Sequence, residues 1–221
     1  MAGSGKGRIL TAMSFRVLSL ILFGIVAGAV VACGGGGGKG SSETVGPRTV
    51  ESRVTTGIPD LDQPLNTALS GDAIEMARLT GYQRVNCSKF PVGDNPPPVC
   101  RQDEADGTSV EVFATVTCQG KLSWVRPEDV PDAYKSALGG ENVQLAGVYA
   151  PKPASSRFDS QYVAVITSGP PSGVGVYIHS GRIVALEDAC GNASRLLAAD
   201  RVASFVIQPT AGAGTAVAAT P

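Results

Sequence analysis

The chain is short of histidine, of aromatic side chains and of net charge. Among its 221 residues it has one histidine, aromatic residues make up 5% of the composition, and the formal net charge is −1. A single imidazole excludes a His-rich metal site. The balanced charge excludes a nucleic-acid partner, because such a protein needs a surplus of basic residues to neutralise phosphates. The length is enough for one folded domain with tails.

The N-terminus combines a basic segment with a short apolar one. Three basic residues precede the apolar segment, and the first acidic residue of the chain is Glu43. Residues 17–32 form an almost entirely apolar run of 16 residues, which is shorter than the ~20 residues that span a bilayer. This order predicts a secretory signal peptide over residues 1–32 rather than a permanent transmembrane helix.

The apolar run ends in Val30-Val31-Ala32-Cys33, which resembles the bacterial lipobox. By this resemblance the chain is a bacterial prelipoprotein that is cleaved before Cys33, which carries diacylglycerol and an acylated amino terminus. Two or three acyl chains hold a protein on a membrane where one does not, since each buried CH₂ contributes ~0.8 kcal/mol. The resemblance implies a lipid anchor on the extracytoplasmic face of the cell membrane. An uncleaved anchor and ordinary secretion are the alternatives.

Composition divides the rest of the chain into a tether, a domain and a tail. Residues 33–57 contain a run of glycines and few apolar residues, which predicts a flexible tether. Residues 58–208 are predicted to form a single extracytoplasmic domain, and residues 209–221 a disordered tail. Cleavage before Cys33 leaves 15 basic and 19 acidic residues, a net charge of −4. The lipid, and not surface charge, must therefore hold the protein on the membrane.

Four cysteines remain for the domain once Cys33 is assigned to lipid. An even number of cysteines in an exported domain predicts two disulfides, with three possible pairings. We favour Cys87–Cys100, which closes a proline-rich loop, and Cys118–Cys190, which joins a central strand to a late one. The spacings of 13, 18 and 72 residues lack the short pairs of a four-thiolate zinc site and the C-x-x-C of a redox site. No metal or cofactor is expected.

Hydrophobic periodicity predicts helices first and strands later. Two short helices are expected at the start of the domain, the second opened by a capping box from Asp72 to Glu75. The segment 87–107 contains three consecutive prolines and is neither helix nor inner strand. Further along, a helix over residues 126–138 separates runs of period two. These runs predict five strands at 108–118, 143–150, 162–167, 174–179 and 182–187, the first followed by a hairpin turn into Leu122 and Trp124, with residues 203–208 as the candidate for a sixth.

The pattern indicates an α+β domain with N-terminal helices packed on a curved antiparallel sheet of about five to six strands. The stretches LSGDAIEMARL and GVYIHSGRIVAL resemble the NTF2-like superfamily. That resemblance implies a bent sheet wrapped with helices around a conical pocket. A helix packed on a generic antiparallel sheet is the alternative.

Candidates for a functional site are few. Trp124, Tyr149, Tyr162 and Tyr177 are the best residues for a binding surface, since aromatic tips serve pockets and interfaces. His179 is the only imidazole base, and G-x-S-x-G is absent from the sequence. We therefore favour a non-catalytic binding domain for a protein or small-molecule partner. A pocket for a small apolar or aromatic ligand is the alternative, and a hydrolase using His179 comes third.

Overall fold

The computed structural model describes residues 53–140, 142–168 and 172–209. The predicted signal peptide, Cys33, most of the predicted tether and most of the predicted tail lie outside these residues. In the described part of the chain, no helix is both long and apolar enough to cross a membrane.

The described residues form an α+β fold with three α-helices and eight strands. In chain order the elements are α1 (Pro59–Ser70), α2 (Ala73–Arg78), β1 (Gln83–Asn86), β2 (Ser109–Val116), β3 (Leu122–Val125), α3 (Val130–Leu138), β4 (Gln144–Pro151), β5 (Tyr162–Thr167), β6 (Val174–His179), β7 (Arg182–Asp188) and β8 (Val202–Ile207). Short 3₁₀ turns precede α3 at Pro127–Asp129 and β8 at Ala193–Arg195.

The helices begin and end where local chemistry predicts. Helix α1 ends at Gly71, whose φ of 68° lies in the left-handed region that favours glycine. Asp72 caps α2 by accepting bonds of 3.0 Å from the backbone amides of Ile74 and Glu75. The reciprocal half of the predicted capping box differs, because Glu75 pairs with Arg78 one turn later. Only the Asp72 cap of that motif is therefore formed.

The sheet has more strands than the predicted five to six. Its order is β1-β2-β7-β6-β5-β4-β8, with β3 also paired to β2. All pairings are antiparallel except β2 with β7, which is parallel over three residue pairs, from Ala114–Ala185 to Val116–Glu187. The predicted count was too low because the polar strand β1, with the sequence QRVN, has no apolar alternation to reveal it.

Apolar side chains cover both faces of the sheet. One cluster, the helix-side core, combines Leu61 and Leu65 of α1 with Tyr134 of α3 and strand residues such as Val176. The opposite cluster, the outer core, contains Tyr177 among others. Because side chains alternate along a strand, β6 sends Val174, Val176 and Ile178 to one core and Tyr177 to the other.

The chain is fastened where it enters the domain. The amide group of Asn66 on α1 bonds both backbone groups of Val54, with the Val54 nitrogen 2.9 Å from Oδ1 and Nδ2 2.8 Å from the Val54 carbonyl. Asp62 accepts from the Thr56 nitrogen at 2.8 Å, and the hydrogen bonds from Thr56 lower the pKa of Asp62. Fixed contacts thus begin four residues before the predicted domain boundary at residue 58.

Candidate functional site

A disulfide closes the proline-rich loop, as predicted. Cys87 and Cys100 are bonded, and we call residues 87–107 the stapled loop. Backbone hydrogen bonds reinforce its base: the Ser88 nitrogen donates to the Pro98 carbonyl at 2.8 Å, and the Cys100 nitrogen donates to the Ser88 carbonyl at 3.0 Å. At its end, the Gly107 nitrogen donates to the Cys87 carbonyl at 2.9 Å. The loop therefore has a defined conformation despite lacking regular secondary structure.

Two side chains from outside the loop hold it against the sheet. The Trp124 indole Nε1 on β3 donates to the Pro96 carbonyl at 2.8 Å. Arg126 donates to the Val99 carbonyl at 3.3 Å and pairs with Glu104 at 2.7 Å. The pKa of Glu104 is lowered, first by the backbone N–H of Arg101 and then by Arg126. Trp124, a predicted ligand-binding residue, thus uses its polar group inside the molecule.

The stapled loop displays large apolar side chains to solvent. Phe90 is 83% exposed, Val92 82% and Val99 63%. Among the described residues the other exposed large apolar side chains are Ile74 at 52% and Tyr82 at 36%. We call Phe90, Val92 and Val99 the apolar tip. Sequence reasoning missed it, although apolar residues beside prolines between two cysteines were a visible signal.

The surroundings of the apolar tip are acidic. The stapled loop contains two basic residues against four acidic ones, a net charge of −2. Its Arg101 is paired with Glu128, while Asp94 and Asp103 are exposed. The stapled loop thus combines exposed apolar side chains with a surplus of carboxylates.

The predicted aromatic residues do not form one binding surface. Tyr149 and Tyr177 are each 1% exposed and belong to the outer core. Tyr162 packs against the helix-side core on the other face of the sheet. The structure therefore brings Tyr149 and Tyr177 into the outer core, where Trp124 packs against the same cluster, and leaves Tyr162 on the other face. The rings of Tyr149 and Tyr177 pack edge-on against Phe205 and Phe158, respectively.

A cleft of about 360 Å³ lies beside the ends of β2 and β7, with Cys118, Glu187, Arg195 and Arg201 in its lining. Two of the charged groups in its lining, Glu187 and Arg201, form an ion pair. Arg201 donates to Glu187 at 3.0 Å and to the Tyr177 hydroxyl at 2.6 Å, and that hydroxyl also donates to Glu187. The cleft therefore holds a self-neutralising network and does not offer Glu187 as an unpaired base.

The ionisation of this network follows from its contacts. Burial acts to raise the pKa of Glu187, but hydrogen bonds from Arg201 and Tyr177 outweigh it and the pKa is lowered. Burial and the nearby Glu187 carboxylate raise the pKa of Tyr177. Burial also raises the pKa of Tyr149, to about 12. The carboxylate is thus charged and both phenols are protonated at neutral pH.

Cys118 and Cys190 lie together without a bond between them. The Cys190 sulfur contacts the Cys118 carbonyl oxygen. The pKa of the Cys118 thiol is raised, first by its hydrogen bond with Cys190 and then by burial, so it is not an activated nucleophile. One of the two predicted disulfides is therefore formed in the structure, and the partners of the second are neighbours.

Other sequence candidates offer little chemistry. His179 Nδ1 is buried and has no hydrogen-bond partner among the described residues. The Asp159 carboxylate, 3.5 Å away, is 95% exposed and cannot fix the imidazole as a catalytic triad requires. Ligand atoms of Cys87, Cys100 and Glu104 lie within 4.8 Å of one another, but both sulfurs are used in the disulfide.

The stapled loop and the cleft are thus the two candidate sites. No protein-family model, curated protein or solved structure matches the chain. Function must therefore be inferred from the chemistry of these residues. In the cleft Glu187 and Arg201 are paired with each other, whereas the apolar tip is solvent-exposed on a braced loop. The tip is the stronger candidate for a binding element.

Proposed function

We propose that this protein is a bacterial lipoprotein, anchored through Cys33 on the extracytoplasmic face of the cell membrane, whose domain is a non-catalytic binding module. The stapled loop is its contact element. The observation that carries the proposal is the exposure of Phe90 and Val92, at 83% and 82%, on a loop closed by a disulfide. Single exposed apolar residues are ordinary on protein surfaces, but two large ones separated by one residue on a braced loop favour an interaction site.

Rigidity supports a binding role for the loop. A partner that binds a mobile loop must overcome the entropy of ordering it, so a preformed loop binds more tightly for the same contacts. Here the disulfide, Trp124 and Arg126 fix the base of the loop. The side chains of the apolar tip are thereby presented on a backbone that needs little rearrangement.

The cleft supports a non-catalytic function. Catalytic groups normally have pKa values shifted so that they are reactive at the working pH. Here the Glu187 carboxylate is hydrogen-bonded to Arg201 and Tyr177, and the Cys118 thiol has a raised pKa. The alternative of a pocket for an apolar or aromatic ligand gains no support, since Tyr149 and Tyr177 are buried in the outer core.

We propose further that Cys118 and Cys190 become the second disulfide in the exported protein. Their side chains are in contact range, and an oxidising extracytoplasmic compartment favours the bond. Each thiol loses its hydrogen in the two-electron oxidation, and a dithiol–disulfide oxidoreductase or an equivalent disulfide oxidant accepts the two electrons. The bond would tie the end of β2 to the end of β7.

The anchor is tested by Cys33→Ser in cells that process lipoproteins. We expect the variant to lose labelling by a fatty-acid probe and to leave the membrane fraction, because no acyl chains remain to hold it. Cys118→Ser is the matched control, since it makes the same chemical change away from the lipobox and should stay lipidated. A Cys33→Ser protein that remains in the membrane after an alkaline wash would show an uncleaved anchor and overturn the proposal.

A further inference from the structure

We infer that the apolar tip inserts into an apolar pocket on a partner protein, and that basic residues line the rim of this pocket. The inference rests on the proposed binding function and names the chemistry of its partner. Phe90, Val92 and Val99 project from one loop, and protein interfaces gain most of their affinity from a few such anchors buried at the centre. Such anchors bind by filling an apolar pocket on the partner.

The charges of the stapled loop indicate which charge lines the rim of the partner's pocket. Asp94 lies two residues from Val92, and Asp94 and Asp103 are both exposed. The basic Arg101 and Arg126 are paired with Glu128 and Glu104. Among the remaining charges, the exposed Lys89 beside Phe90 is outnumbered by three exposed carboxylates, those of Asp94, Asp103 and Asp106, and Asp106 lies close to Phe90 because it accepts from the Lys89 nitrogen at 2.8 Å. The loop therefore meets its partner with a surplus of carboxylates, and complementary lysine or arginine side chains would both steer and orient the encounter.

The same charges disfavour two other binding partners for the apolar tip, a lipid bilayer and a second copy of this chain. An anionic bilayer would repel a loop of net charge −2 and would have to accept Asp94 beside the inserted valine. A second copy of this chain offers the cleft near β2 and β7, but Asp188, Asp200 and Glu187 lie there with Arg195 and Arg201, so its rim is not basic. The observations thus favour a different protein over lipid or self-association.

The test places a photoreactive residue at the tip of the full, lipidated chain in the cells that produce it. Phe90 is replaced by p-benzoylphenylalanine, and Ile74, which is 52% exposed on α2, receives the same residue as the matched control. We expect a discrete protein adduct from position 90 and none above background from position 74. Mass spectrometry of the adduct should locate the cross-link in an apolar segment that has lysine or arginine nearby.

Charge and apolar variants then test the chemistry in the same assay. Val92→Asp should lower the adduct yield about tenfold, the loss expected from ~1.4 kcal/mol at an anchor position. Asp94→Lys should also lower it, because a basic rim would now be repelled. Both side chains are exposed, so circular dichroism should show an unchanged fold for each variant.

Several outcomes would overturn the inference. These are an adduct with lipid, an adduct with a second copy of the chain, an equal yield from position 74, or a yield that Asp94→Lys raises. Binding of the unlipidated chain to vesicles of phosphatidylglycerol would likewise overturn it. Fractionation of the same cells separates the two proposals: a chain absent from the membrane contradicts the anchor, whereas an anchored chain without a protein adduct contradicts only the partner.

Discussion

Glu187 is a largely buried carboxylate that bonds Tyr177 of the outer core. It accepts hydrogen bonds from Arg201 and Tyr177 in a largely buried setting. Tyr177, which the sequence suggested for a binding surface, instead donates to Glu187, and Tyr149 packs in the same core. Alternation along β6 places Tyr177 and Val176 on opposite faces of the sheet, but it could not show that both faces are covered. A period-two pattern shows which side chains of a strand share a face of the sheet, but it does not show whether that face is buried or exposed.

The network predicts a pH dependence of stability. Because the folded-state pKa of Glu187 is lowered, its ionised form stabilises the fold above the unfolded pKa of about 4.3. This contribution is lost as the pH falls through the lower folded pKa. Glu187→Gln should therefore reduce the free energy of unfolding at pH 7 by about 1–3 kcal/mol, and the difference from the wild type should shrink in acid.

Urea denaturation across the pH range checks this expectation. Glu111→Gln is the matched control, since Glu111 forms an exposed pair with Arg84 and should change stability by less than about 1 kcal/mol. A wild-type advantage over Glu187→Gln that stays constant down to acid pH would contradict the assignment.

Trp124 provides a second test at a single side chain. Trp124→Phe keeps an aromatic ring and removes the Nε1–H that bonds the Pro96 carbonyl. We expect a loss of about 1 kcal/mol in the free energy of unfolding, together with faster hydrogen exchange of the Ser88 and Cys100 amides at the base of the loop. Tyr82→Phe, at an exposed aromatic residue, should leave those amides protected. Unchanged exchange in Trp124→Phe would show that the indole does not brace the loop.

At the scale of elements, locally determined features were predictable from the sequence and pairings between distant segments were not. The Asp72 cap of α2 and strands β6 and β7 depend on neighbouring residues, and they lie where the sequence predicted them. The parallel pairing of β2 with β7 depends on segments about 70 residues apart. Nothing in the periodicity of either strand specifies that partner, which is why a purely antiparallel sheet was expected.

Cys118 and Cys190, which lie beside this parallel pairing, provide a further test. Oxidised wild-type protein should have no titratable thiol under non-reducing denaturation once Cys118 and Cys190 are bonded. Replacing both by serine should lower the free energy of unfolding by up to about 4 kcal/mol, the chain-entropy value for a loop of this length. Alkylation with mass spectrometry gives the thiol count. Two alkylated cysteines in the exported, oxidised protein would contradict the second bond.

In the molecule as a whole, the residues that stabilise the fold are different from those that we assign to binding. The sequence predicted its α+β class and the closed proline-rich loop, since both follow from periodicity and cysteine placement. It did not predict the apolar tip, because exposure is a property of the assembled surface. The buried core lies in the sheet and helices, whereas Phe90 and Val92 contact solvent.

This separation predicts that function and stability can be changed independently. Phe90→Ser with Val92→Ser should alter the free energy of unfolding by less than about 1 kcal/mol, as expected for surface positions. Phe113→Ala, which truncates a fully buried side chain, should cost about 3–5 kcal/mol. Thermal and urea denaturation of the two variants measure both effects. A large loss from the surface pair would mean that the tip contributes to folding and is not reserved for a partner.

The fastening of Val54 to Asn66 has a mechanical consequence for a protein held at one end. If the N-terminus is anchored and a partner pulls on the stapled loop, tension reaches the domain through Val54. The amide group of Asn66 carries that load to the middle of α1, and the Thr56–Asp62 contact carries load to its first turn. A helix held at both places is loaded over two turns rather than at its end alone, so the buried face of α1, with Leu61 and Leu65, resists the force as a unit.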